Sequence, residues 1–121
     1  MNSKELDEIV KKVEILKIDE PLEKAIDIIV KVADPDKIIL FGSRARGDNK
    51  KDSDYDICVI KHGVEHRRKL AQQIYVSLCD VSTPIDVIVQ TPDKFDELKD
   101  DPYFVYRQIA KDGVIIYEKS R

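Results

Sequence analysis

Apolar side chains at Leu6, Ile9, Val10 and Val13 recur every three or four positions, which predicts an amphipathic helix over 3–17 with Ser3 as its N-cap. Asp19-Glu20-Pro21 restarts a helix through about Val32, with Leu22, Ala25, Ile26, Ile29 and Val30 on one side, and Asp34-Pro35 closes it. The pattern then changes. "KIILF" at 37–41 is a short continuous apolar run, as in a strand buried on both faces, and it stops at Gly42. "SDYDICVI" at 53–60 predicts a second strand. The helical spacing of Leu70, Ile74 and Leu78, with Val76 or Ser77 beside them, predicts a helix over 64–80. "PIDVIVQ" at 84–90 is a third strand, opened by Pro84 where a missing N–H does least harm. Thr91-Pro92 starts a short helix to about Leu98, and Asp101-Pro102 caps another to about Ala110. Gly113 ends that helix, and "VIIYE" at 114–118 is a last strand. Helices interleaved with short strands give a small α/β or α+β domain with a mixed sheet.

Composition narrows the class. The 121 residues fit one domain: N-terminal helices over 1–33, a core over 37–90, and helices with a last strand over 92–121. Lys and Arg number 21 against 24 Asp and Glu, a formal net charge of -3, which argues against direct nucleic-acid binding. An enzyme extending RNA ends would need strongly salt-sensitive RNA binding, and the acidic balance opposes it. A nucleotide is not excluded, since its phosphates need only one local positive spot. No apolar run is long enough for a membrane span and the N-terminus is too charged for a signal peptide, so a cytoplasmic location is expected. Cys58 and Cys79 lie far apart with no CxxC pair and read as buried thiols.

The stretch "FGSRARGDNKKDSDYDI" at 41–57 carries the candidate chemistry. Gly42 and Gly47 stand at P-loop spacing, but Asp48 and Asn49 follow where that motif needs Lys and Ser or Thr. A different phosphate cradle fits better. Gly42 lets the backbone turn sharply behind a strand, Ser43 offers a hydroxyl and an N–H at a helical turn, and Arg44 and Arg46 suit phosphate oxygens. The competing account is a tight turn with Ser43 as helix cap and two solvated arginines. Strand alternation places Asp54 and Asp56 on one face, with Tyr55 and Ile57 on the other. Two such carboxylates repel unless a cation lies between them, and magnesium takes a couple of carboxylates together with phosphate oxygens. Asp86 interrupts the apolar strand Ile85–Val89, either as a third acid of the same cluster or as a residue facing water from an edge strand.

These residues resemble a family. Gly42-Ser43-Arg44-Ala45-Arg46-Gly47, followed after ten intervening residues from Ser43 by Asp54-Tyr55-Asp56 and later by a strand bearing Asp86, is similar to the polymerase-β-like nucleotidyltransferases, and most to their minimal group. The resemblance covers about 37–90 and implies that group's fold, with helices mainly on one face of a small mixed sheet. It implies that Asp54, Asp56 and Asp86 are catalytic and bind magnesium, two ions in all, with Asp86 also helping to activate the acceptor. Gly42, Ser43, Arg46 and Arg44 would bind the nucleotide, ATP by resemblance. An acceptor hydroxyl would attack the α-phosphorus and pyrophosphate would leave, with metal ions steadying both oxygens. Minimal members are paired with HEPN-type toxins, which implies an antitoxin that adenylylates its partner, plausibly on tyrosine. The alternative is a catalytically silent nucleotide-binding or toxin-masking subunit.

Other constellations carry less. His62, Glu65 and His66 match an inverted zinc-protease spacing, but Gly63 breaks the helical turn that both histidines would need. The basic run His66–Lys69 opens a helix and reads as a solvated face. Tyr103, Phe104 and Tyr106 read as core and helix packing rather than a base-stacking surface.

Overall fold

The computed structural model describes residues 19–120, so the helix expected over 3–17 lies outside the described residues. Helix α1 (Glu20–Ala33) opens at Asp19, whose carboxylate accepts the Leu22 N–H at 3.2 Å, with Pro21 in the first turn. Leu22, Ala25, Ile29 and Ala33 form its buried stripe. It ends at Asp34, a left-handed residue at φ 45° whose N–H reaches the Val30 carbonyl at 3.0 Å. Asp tolerates that conformation better than most side chains because its short polar group can bond locally.

Four strands follow, β1 (Lys37–Phe41), β2 (Tyr55–Ile60), β3 (Ile85–Gln90) and β4 (Val114–Glu118), in the spatial order β3-β2-β1-β4. β1 runs antiparallel to β2 and β4, while β2 and β3 are parallel. A parallel pair needs a long crossover, and α3 (Arg67–Ser77) supplies it. One short helical turn, α2 (Ser43–Arg46), follows β1; α4 (Pro92–Leu98) and α5 (Val105–Asp112) separate β3 from β4.

Alternation along the strands divides the core in two. Ile38, Leu40, Tyr55, Ile57, Val59, Ile85, Val87 and Val89 face the long helices α1 and α3, which contribute Leu22, Ile29 and Ile74, with Leu78 at the C-cap of α3. Ile39, Phe41, Cys58 and Ile60 face the shorter α4 and α5, with Tyr106 and Ile109 buried against them. Tyr106 meets Phe95 edge to face at 5.7 Å and its hydroxyl accepts from the Gln90 amide at 3.0 Å. This second face is covered less fully: Asp56 is half-buried and Asp86 exposed at one end of it. Among the described residues β3 is an edge strand, and the Tyr75 hydroxyl on α3 accepts the outward Val87 N–H at 2.7 Å.

Several local expectations change. α3 starts at Arg67, after a turn at Gly63, and Val76 points to solvent. α5 starts at Val105 because Asp101 builds a turn instead, its carboxylate taking the Tyr103 N–H at 2.9 Å and its carbonyl the Phe104 N–H at 3.2 Å. Of the three aromatics there only Tyr106 joins the core, while Tyr103 is 92% exposed and Phe104 is also exposed. Cys58 is buried as expected and Cys79 is exposed, since it follows the end of α3. Gly113 has φ -69°, so no left-handed cap requires it; a Cβ there would run into the Ile109 carbonyl and meet Ile39 Cγ2 at 2.7 Å. No described helix is long and apolar enough to cross a membrane.

Candidate active site

The site begins where β1 ends. Gly42 adopts φ 76° and ψ -159°, a region open essentially to glycine alone. Its carbonyl accepts the Ala45 and Arg46 N–H groups, both at 3.1 Å, which winds α2. Gly47, at φ 85°, closes that turn with its N–H on the Ser43 carbonyl at 2.9 Å. Ser43 therefore opens a helical turn directly behind a buried strand, with glycine rather than serine at the cap position. The first amides of such a turn have no partner within it.

Register sets this turn against the acids. Phe41 pairs with Asp56, and a Cβ built at Gly42 would strike the Asp56 carboxylate, with Cγ at 3.1 Å and Cβ at 3.3 Å. Only a residue without a side chain allows the two to lie together. Asp56 in turn pairs with Asp86 across the parallel β2–β3 ladder, and Asp54 lies two residues before it on the same face. Burial raises the Asp56 pKa above the ordinary carboxylate value, the negative charges of Asp86 and then Asp54 raise it further, and Arg46 partly opposes them. The three acids thus feel one another through their central member. Asp86 is exposed on an edge strand, as one of the two readings of it required, and it still stands directly beside Asp56.

The two arginines part company. Arg46 is exposed, pairs with Asp48 at 3.1 Å and is the cation acting on Asp56. Arg44 turns the other way. Its Nε donates to the Ser53 carbonyl at 2.9 Å, its Nη2 to the Lys51 carbonyl at 3.3 Å, and its guanidinium lies 4.1 Å from the centroid of the Tyr55 ring. Tyr55 belongs to the core on the α1–α3 face, opposite the acids, and its hydroxyl donates to Asp19. Arg44 is therefore engaged behind the strand, on the Tyr55 side rather than the side of the acids. The loop between α2 and β2 is also more organised than its charge suggests. The Lys50 N–H donates to Ser53 Oγ at 2.8 Å and the Ser53 N–H to the Lys50 carbonyl at 3.1 Å. Sequence reasoning gave Ser53 no role, and no signal marked it, because Arg44 reads its backbone carbonyl.

Among the described residues no group of three or more His, Cys, Asp or Glu side chains is placed to hold a metal ion. The donors nevertheless suit a hard cation. Magnesium binds through one or two carboxylates and takes its other oxygens from water and substrate phosphates. Asp56, crowded by two further acids and backed by a glycine turn, is where such a cation would relieve repulsion. The rival histidines do not form a site. His62 is paired through Nδ1 with Asp36 at 2.7 Å, and both His62 and His66 precede the helix that begins at Arg67.

Comparison with known proteins bears on the family and the fold. The family model described as Polymerase beta, Nucleotidyltransferase matches residues 23–121. Among solved structures, a Sulfolobus solfataricus protein assigned as a nucleotidyltransferase is 24% identical, with a TM-score of 0.56 over 92% of this chain and 86% of that one. A toxin–antitoxin structure with AMP-PNP is 22% identical, with a TM-score of 0.50 over 78% of this chain and 73% of that one. A variant of the MntA–HpeT toxin–antitoxin is 20% identical, with a TM-score of 0.53 over 81% and 73%. At these identities the likeness shows a shared fold. No curated protein matches the chain in sequence.

Proposed function

Because the chain belongs to the family described as Polymerase beta, Nucleotidyltransferase, we propose that its acid corner transfers a nucleoside monophosphate, AMP from ATP, to a hydroxyl acceptor. The observation that carries this reading is the contact of the Gly42 turn with Asp56, which pairs in register with Asp86. A phosphate held on the turn at Gly42 and Ser43 would lie next to the carboxylates, with Arg46 on the same side to offset its charge. Asp54 and Asp56, with Asp86 beside them, would hold magnesium, which would supply electrostatic stabilisation of the transferring phosphate.

The chain's own groups account for the remaining steps. Gly42 and Ser43 orient the triphosphate so that its α-phosphorus faces the acids. The acceptor oxygen forms a bond to that phosphorus while the bond to the β-phosphate oxygen breaks, and pyrophosphate leaves. Asp86, the most open of the paired acids, takes the acceptor's proton. Its exposure on an edge strand suits an acceptor that arrives from outside, as a side chain of another protein would.

The two toxin–antitoxin structures of the same fold support a partner of that kind. We read the acceptor as a hydroxyl on a HEPN-type toxin, tyrosine by preference, and the chain as the antitoxin of the pair. The test combines the protein with Mg²⁺, labelled ATP and the product of the adjacent gene, and repeats it with Asp54→Asn, Asp56→Asn and Asp86→Asn. Label should pass to the partner with the wild type, and each variant should reduce it by about a hundredfold or more. A wild type that labels nothing, with variants that still mask the partner, would establish the silent binding subunit instead.

A further inference from the structure

We infer that Arg44 is a positioning residue, a strut that holds the Asp54–Asp56 entrance of β2 from behind and leaves phosphate binding to Arg46. The inference rests on the reading of Asp54 and Asp56 as the working acids, and it assigns a different task to a residue of the Gly-Ser motif.

Three contacts define the strut. The guanidinium donates to the carbonyls of Ser53 and Lys51, the residues that lead into Asp54, and it stacks on Tyr55, the residue between the two acids. Tyr55 is itself fixed, 3% exposed in the core, with its hydroxyl on Asp19 at the cap of α1 and its N–H on the Pro84 carbonyl at 3.1 Å. The planar fork of arginine can span two carbonyls while lying on an aromatic face, whereas a lysine ammonium is a point charge on a flexible stem. One side chain thus joins α2, the loop and the first residues of β2. Because alternation places Tyr55 and the acids on opposite faces, holding Tyr55 fixes the outward direction of Asp54 and Asp56.

Geometry also argues against a phosphate role. A guanidinium donating to two backbone carbonyls has part of its fork already committed, and its stacked face is closed to a ligand. Arg46 makes neither contact: its exposed guanidinium pairs with Asp48 at 3.1 Å, and its charge acts on Asp56.

The distinguishing experiment uses Arg44→Lys, Arg44→Gln and Arg46→Gln in the full chain. Amide hydrogen exchange over residues 53–56 is followed together with calorimetric binding of a non-hydrolysable ATP analogue in Mg²⁺, and with kcat and KM. Both Arg44 variants should exchange about tenfold faster at 53–56, the effect of losing about one net hydrogen bond. They should keep analogue affinity within about threefold while kcat falls. Arg46→Gln should do the reverse, losing affinity with its exchange unchanged. Unchanged exchange in Arg44→Gln overturns the strut. Full recovery by Arg44→Lys points to charge alone and overturns it too, as does a loss of affinity in the Arg44 variants exceeding that of Arg46→Gln. A wild type that binds no analogue sinks the transferase reading, and the exchange measurement still decides the strut.

Discussion

Replacing Gly42 with Ala tests the contact on which the site is built, and the size of the effect can be separated into two parts. A side chain at φ 76° and ψ -159° is strained by about 1–3 kcal/mol wherever it occurs. The new Cβ must also displace the Asp56 carboxylate, because it would lie 3.1 Å from Cγ and closer still to an oxygen. Moving that side chain off its rotamer adds about 0.5–1.5 kcal/mol. Gly42→Ala should therefore destabilise the fold by about 2–4 kcal/mol, against a total of about 5–15 for a domain. Asp56→Ala removes the carboxylate and leaves only its Cβ, at 3.3 Å from the new methyl, a tight contact that a small shift relieves. The backbone strain is common to both backgrounds and cancels in a double-mutant cycle. What remains is the collision, expected as a coupling of about 1 kcal/mol. Urea unfolding of the four proteins, with free energies taken from midpoints and slopes, measures it. Additivity within about 0.5 kcal/mol would show that the methyl does not reach Asp56 and would refute the contact. In the single variant turnover should fall by about a hundredfold, since misplacement of a catalytic group by about 1 Å has that effect.

Asp56→Asn should stabilise the protein at neutral pH, because it removes a carboxylate that burial, Asp86 and Asp54 make reluctant to ionise. The folded protein holds the Asp56 proton more tightly than the unfolded chain does, so wild-type stability declines as pH rises through the window from the unfolded value up to the raised folded one. The stability gap between variant and wild type should open across that window and close below about pH 3.9, where the unfolded carboxylate is also protonated; a gap independent of pH would contradict the proposed cause. A thiol reagent should modify exposed Cys79 promptly, while buried Cys58, its pKa pushed up to about 12, reacts only on unfolding. Two equally fast thiols in the native protein would contradict the burial of β2.

Much of the fold was legible because its signals are local. β1 and β4 fall where continuous apolar runs stop at Gly42 and start after Gly113, and α1 is bracketed by Asp19 and Asp34-Pro35. The alternation of Asp54, Tyr55 and Asp56 was readable in the same way. Pairing was not. That Asp56 lies against both Gly42 and Asp86 depends on the β3-β2-β1 order and its register, which no single segment encodes. The direction of Arg44 was hidden for a related reason: its partners are two carbonyls and an aromatic face, and composition marks none of them. Exposure of Tyr103 and Phe104 escaped because Asp101 makes a turn where a helix cap was expected.

The edge position of β3 has a consequence for the protein's behaviour in concentrated solution. An apolar strand with a free rim can recruit another chain's strand, and a charge on such a rim discourages it. On β3 the rim is guarded by the Tyr75 hydroxyl at Val87 and by the exposed carboxylate of Asp86 one residue earlier. The acid assigned to the acceptor proton thereby also keeps molecules apart. Asp86→Asn removes a charge from that rim as well as a base from the site, so this variant, more than Asp54→Asn, should be prone to self-association. Light scattering alongside the transfer assay separates a silent monomer from an aggregate that is inactive only because its edge has been covered.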